Sequence, residues 1–191
     1  MIKRIISILI ISLCTTSLFA VEFGSKVDIG FFYHPSITLD NTSDLPVFSS
    51  IGSTYDFSPI YLKINNHIIS PYLSIFHVSR SIVYQNEFLR EFSAVGFGFD
   101  YGYYFNEKFL LHTKLSMGVG KLGQSGNQEM YANLLLAPSI LLLKENDYDL
   151  SLQLIVNVIY RKYLLSPSIG IGLSTSFDWL TSYIGKVNET N

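Results

Sequence analysis

His77, Ser79 and Glu91 are the residues of this chain whose types could do chemistry together. A serine hydroxyl becomes a nucleophile when a histidine takes its proton and a carboxylate orients that histidine. The same side chains equally suit a polar strand end at a membrane interface. A second set is ionisable: Lys26, Asp28, Lys63, Asp100, Lys114, Arg161 and Asp178. Alternation places them on one face of their strands, among small residues. Charges at membrane depth are costly unless paired. The expectation is a polar network of Lys26, Asp28, Asp100, Lys114 and Arg161, with Asp100 directly opposite Lys114. A conducting or ligand-binding role is the sharper reading of that set. The four histidines, at 34, 67, 77 and 112, share no ligand spacing, so neither a metal site nor a cofactor is expected. Gly96-Phe97-Gly98 and Gly118-Val119-Gly120 lack the strand-to-helix setting of a phosphate loop. Small residues there suit the inside of a narrow barrel.

The elements that must position these residues alternate with period 2. From Ser168 to Trp179 the odd positions are Ile, Ile, Leu, Thr, Phe and Trp, and the even ones are Ser, Gly, Gly, Ser, Ser and Asp. A strand of a soluble protein would put Lys and Glu on its wet face. A lipid-facing apolar side and a narrow polar lumen fit better. Eight such strands are expected, at about 22–34, 56–65, 67–79, 91–105, 109–121, 130–144, 148–165 and 168–179. Each approaches or exceeds the ~9–11 residues that a tilted strand needs to cross a bilayer. Ile60, Leu62 and Ile64 mark even positions as outward in the second strand. Asn133 and Ser139 mark the inner side of the sixth. Tight turns fall at 65–67, 106–108 and 145–147. A Ser/Thr/Asp/Pro-rich loop at 35–55 is the longest connection and the expected site of contact with a host or surface ligand. Parity ties facing to register: Phe105 should pair with Phe109, and Leu165 with Ser168 across a two-residue turn. Tyr101, Tyr103, Tyr104, Phe105 and Phe109 gather at one end as an interfacial girdle.

Composition agrees. Only 15% of the 191 residues are charged, and aromatics make up another 15%. Soluble domains average about 25% charged. A net charge of −2 argues against a nucleic-acid partner. Residues 1–20 read as a secretory signal, with Lys3 and Arg4 before the apolar run Ile5 to Leu13 and Leu18-Phe19-Ala20 at the cut. Losing those two cations takes the net charge from −2 to −4. Cys14, the sole cysteine, lies within that segment; lipidation there is the alternative to cleavage after Ala20. The mature chain then has no thiol for a disulfide or a metal.

The signal, eight strands, short inner turns, longer outer loops and aromatic end of the last strand resemble the small bacterial outer-membrane barrels of the OmpA, OmpX and OmpW type. The resemblance covers residues 21–179. It implies an all-β fold, an eight-stranded antiparallel up-and-down transmembrane β-barrel in the cell outer membrane. The implied partners are outer-membrane lipid and the barrel-assembly machinery. The implied role is structural or surface-directed, with a narrow OmpW-like channel for small solutes as the alternative. Gly172, Phe177 and Trp179 look like the assembly signal that ends such barrels; here a tail, 180–191, follows. His77-Val78-Ser79 with Glu91 downstream is similar to the motif of PagL-type lipid A deacylases, although Arg80 stands where those enzymes carry Asn. Lipid A deacylation is thus a third reading. A secreted lipocalin-type barrel would also have eight strands, but its water-facing side would not be built of Gly and Ser.

Overall fold

The computed structural model describes residues 21–35, 49–79, 92–122, 128–145, 147–161 and 164–179. The expected signal at 1–20 with Cys14, residues 36–48 of the expected 35–55 loop, Glu91 and the expected tail at 180–191 lie outside these residues. Eight strands follow in order: β1 (Val21–Pro35), β2 (Ser49–Ile64), β3 (His67–Val78), β4 (Phe92–Tyr104), β5 (Phe109–Leu122), β6 (Gln128–Lys144), β7 (Tyr148–Arg161) and β8 (Leu164–Asp178). Each pairs antiparallel with its sequence neighbours, and β8 closes on β1. The expected up-and-down barrel is the observed one.

The register sets the tilt. From Tyr33, pairing runs through Ile169, Val156, Leu136, Thr113, Tyr101, Ile69 and Leu62. It returns to β1 at Phe23, ten residues lower than it began. Strands staggered this much lean by about 35–45° from the barrel axis, and eight of them leave a lumen that side chains can fill.

Facing follows the alternation. Phe31, Leu73, Phe97, Phe99, Leu115, Ile171 and Leu173 lie exposed on the outer wall. Lys26, Asp28, Asp100, Lys114, Ser174 and their neighbours are buried inside. No water-soluble protein presents so continuous an apolar exterior. It is the surface of a barrel that crosses lipid. Pro71, which cannot donate to a ladder, nonetheless sits in register opposite Phe99 and points outward.

Three expectations are corrected. First, β2 begins at Ser49, so 49–55 is strand rather than loop. Second, facing reverses within β2. Gly52, Thr54, Asp56 and Ser58 point inward, and then so does Tyr61. The register slips between Gly24 and Lys26 on one side and between Phe57 and Leu62 on the other. Pro59 lies in this bulge, one of the few places a strand tolerates proline. Third, Leu165 does not pair with Ser168. Tyr160 pairs with Leu165 and Val158 with Pro167, so Ser166-Pro167 belongs to β8. Outward faces stay in step because both pairings satisfy the same parity. Phe105, by contrast, does meet Phe109, its N–H donating to the Phe109 carbonyl at 2.9 Å. The turn after β2 is Asn65-Asn66, with Asn65 at φ 54°, a left-handed conformation that Asn accepts readily.

The lumen is filled in layers. Phe32, Phe76, Phe92, Tyr131 and Ile159 close the end where the longer connections lie, the loop end. Phe32 stacks on Phe76 at 5.1 Å between ring centroids. Tyr61, Ile68 and Leu110, with Tyr104 against them, close the opposite turn end. Between the two lie the charges, with Leu135, Ala137 and Ile155 beside them.

Candidate functional site

The middle layer is an ion-pair network buried on β1, β2, β4 and β5. Lys114 reaches across the lumen from β5. Its Nζ donates to Asp28 Oδ2 at 2.7 Å and to Asp56 Oδ2 at 2.6 Å. The ammonium also lies over the Tyr72 ring, 5.3 Å from its centroid. Lys26 donates to Asp100 Oδ2 at 2.5 Å and sits 3.2 Å from Asp28 Oδ2. His112 Nδ1 is 2.9 Å from Asp100 Oδ1. Thr54 and Ser74 donate their hydroxyls to Asp56 Oδ1 at 2.9 and 2.6 Å. All six ionisable residues are essentially inaccessible to solvent.

Charges survive at such depth because each carboxylate meets an ammonium and further donors. Glycine makes the room. A Cβ on Gly102, the ladder partner of His112, would lie 3.1 Å from the imidazole ring. Gly30 and Gly172 give way in the same manner to Ile155, which fills the lumen from the β7 side.

The structure brings Lys26, Asp28, Asp100 and Lys114 into one network, but pairs them differently from the expectation. Asp100 and Lys114 are ladder partners, yet Asp100 bonds Lys26 and His112 while Lys114 bonds Asp28 and Asp56. A long lysine chain swings across a narrow lumen more easily than it lies flat against its own ladder. Arg161 stands apart at the loop end. Its Nε is 3.4 Å from Glu129, and its guanidinium lies 4.5 Å from the Phe92 ring centroid. Lys63 pairs with Glu22 at 2.5 Å near the turn end, where the half-buried Asp178 also lies. Two members were missed. Asp56 was hidden by the β2 bulge, which reverses its facing. His112 was weighed only as a metal ligand; its ladder position two residues from Lys114 was the available signal.

The serine and histidine near the loop end have other partners. Ser79 Oγ donates to the Ile51 carbonyl at 2.7 Å. The His77 ring meets Ser93 Oγ at 2.9 Å on the outer wall. Among the described residues no group of His, Cys, Asp or Glu has the arrangement to hold a metal. What the central network can do chemically is tie β1, β2, β4 and β5 together across the lumen.

Neither a protein-family model nor a curated protein matches the chain. Solved structures do. The crystal structure of Neisserial surface protein A covers 81% of this chain and 97% of its own, at 14% identity and a TM-score of 0.54. Ail of Yersinia pestis, in complex with the heparin analogue sucrose octasulfate, covers 83% and 99% at 15% identity and a TM-score of 0.44. OmpT of Vibrio cholerae covers 84% of this chain and 52% of its own, at 11% identity and a TM-score of 0.32. The first match, the closed register and the apolar wall agree: this chain has the fold of the small eight-stranded outer-membrane β-barrels.

Proposed function

We propose that the chain is an outer-membrane barrel with a closed lumen, serving a structural or surface-directed role. The observation that carries this reading is the stack of three filled layers. An aromatic layer, a salt-bridged layer and a second aromatic layer lie in series. An ion would have to break several buried pairs to pass, and each charge left buried without its partner costs about 3–5 kcal/mol. Neutral solutes meet the stacked rings of Phe32 and Phe76. The segment 36–48 between β1 and β2, rich in Ser, Thr, Asp and Pro, is the proposed contact with a host or surface ligand, since binding residues concentrate in loops held by a rigid scaffold.

Refolded protein in a planar bilayer is the experiment. The wild type should show no steady conductance of porin size. A stable open-pore current would overturn the reading in favour of a channel. An epitope tag at Asn41 should be reachable on intact cells; labelling only after lysis would reverse the orientation. A lipid A hydrolysis assay comparing the wild type with Ser79→Ala should show no difference between them.

A further inference from the structure

His112 is the one member of the central network whose side-chain type ordinarily changes charge near neutral pH. The fixed charges do not balance: Lys26 and Lys114 face Asp28, Asp56 and Asp100. With a neutral imidazole the buried layer carries one negative charge in excess. Asp28 Oδ1 accepts no hydrogen bond among the described residues, which puts the unsatisfied oxygen within the same cluster. A carboxylate only accepts, so the short contact to Asp100 requires the hydrogen of His112 on Nδ1. That leaves Nε2 with a lone pair. Lys26 Nζ lies 3.2 Å from Nδ1 and 3.4 Å from Nε2, so its charge sits against the ring between the two nitrogens.

The cavity beside this ring completes the observation. A space of about 20 Å³ lies on the turn side of the charged layer, bounded by Lys26, His112, Tyr61, Tyr104, Ser174 and Ser176. That is room for about one water. Its lining joins the half-buried Ser176 and Asp149 to the buried imidazole of His112. The opposite side of the network is sealed by the aromatic layer.

We propose that His112 is a proton-binding site served through this cavity from the turn end. A proton from hydronium or a buffer acid adds to Nε2 and leaves water or the buffer's conjugate base behind. Lys26 keeps its bonds to Asp100 and Asp28. The layer passes from one excess negative charge to none. The groups facing the imidazole set this balance: Lys26 and Asp28 from β1, Tyr61 from β2, Asp100 and Tyr104 from β4, and, at the cavity rim, Asp149 from β7. β3, β6 and β8 contribute only the uncharged Ile68, Leu141, Ser174 and Ser176 to the cavity.

Imidazole ¹⁵N spectra of the full barrel in lipid nanodiscs, followed from pH 8 to pH 4, test the idea, with His112→Asn identifying the signal. Wild-type His112 should begin with unlike nitrogens, Nδ1 protonated and Nε2 bare, and converge reversibly to the imidazolium pattern while the barrel stays folded. Lys26→Met should bind the proton at least tenfold more tightly, because the competing ammonium is gone. A His112 that stays neutral to pH 4 in the folded barrel overturns the proposal. So does a midpoint that Lys26→Met leaves unmoved; if that variant does not fold, the wild-type titration decides alone. The bilayer conductance result is separate: a closed lumen can hold a proton site, and an open one would not create it.

Discussion

The two halves of the lumen wall are built on different principles. On β1 to β5, the inner face at mid-depth carries Lys26, Asp28, Asp56, Asp100, His112 and Lys114. On β6 to β8 it carries Leu135, Ala137, Gln153, Ile155, Asn157, Gly170, Gly172 and Ser174. One half is held by charge pairs that span several strands. The other fills volume with aliphatic chains and presents uncharged polar groups. The lesson concerns where an error is felt. Charges are strongly coupled, so one deletion strands its partners. The uncharged half depends on volume, and its polar atoms are only loosely engaged. Gln153 Nε2, Asn133 Oδ1 and both amide atoms of Asn157 have no side-chain or backbone partner among the described residues.

The largest effect is expected in the charged half. Lys114→Met leaves Asp28 and Asp56 facing each other without their shared ammonium, and removing one partner of a buried pair costs about 3–5 kcal/mol. A urea unfolding titration in lipid vesicles measures it. Because Lys114 bonds Asp28 and Asp56, adding Asp56→Asn should recover part of the loss. Adding Asp100→Asn should recover none, since Asp100 belongs to Lys26. Rescue by Asp100→Asn would mean that the ladder pair, not the cross-lumen pairs, holds the layer. Next in size is a change on the outer wall. Leu173→Arg puts a cation into lipid near mid-strand and should cost about 2–4 kcal/mol in the same titration. A harmless Leu173→Arg would place that face away from the membrane.

This division explains what was legible in the sequence. Strict alternation in β4, β5 and β8 announces both faces, because lipid selects every second residue and a narrow lumen selects the rest. The 106–108 turn fixes its own register, so the opposition of Asp100 and Lys114 followed. The side-chain partners did not, because ladder position says nothing of where a flexible lysine reaches across a lumen. β2 failed for a different reason. Its outward residues Tyr55 and Phe57 are odd while Ile60 is even, and a single bulge at Pro59 separates the two phases. Extending the Ile60, Leu62 and Ile64 pattern backward turned Asp56 to the wrong side. The start of β8 was placed too late because Ser166-Pro167 carries turn composition although it lies in the ladder.

In the uncharged half, size should matter more than polarity. A Cβ on Gly30 would come within 2.4 Å of Ile155 Cδ1 and 3.0 Å of Thr54 Cγ2. Gly30→Val therefore overpacks the lumen and should cost about 1–3 kcal/mol. Ile155→Val trims the colliding methyl. The two substitutions together should cost less than their separate effects predict, which a double-mutant cycle reads directly. Strict additivity would show that Ile155 does not fill the gap left by the glycine.

The smallest effect tests the comparison from the other side. Asn157 is buried on β7, opposite Leu135 on one neighbour and Ser168 on the other. Neither amide atom has a partner among the described residues, and a buried amide without partners is a cost to the fold. Asn157→Leu keeps the branching and heavy-atom count of the side chain and adds an apolar group beside Leu135. Replacing an unpaired polar group by an apolar one of similar shape is nearly neutral or stabilising. The expected change is within about 1 kcal/mol of zero, on the stabilising side, by the same urea titration. The contrast with Lys114→Met is the point of the measurement, since both remove a buried polar side chain at similar depth. If Asn157→Leu costs as much as the loss of Lys114, the amide is tied into the lumen's hydrogen bonding. The two halves would then differ in composition but not in how they hold the barrel closed.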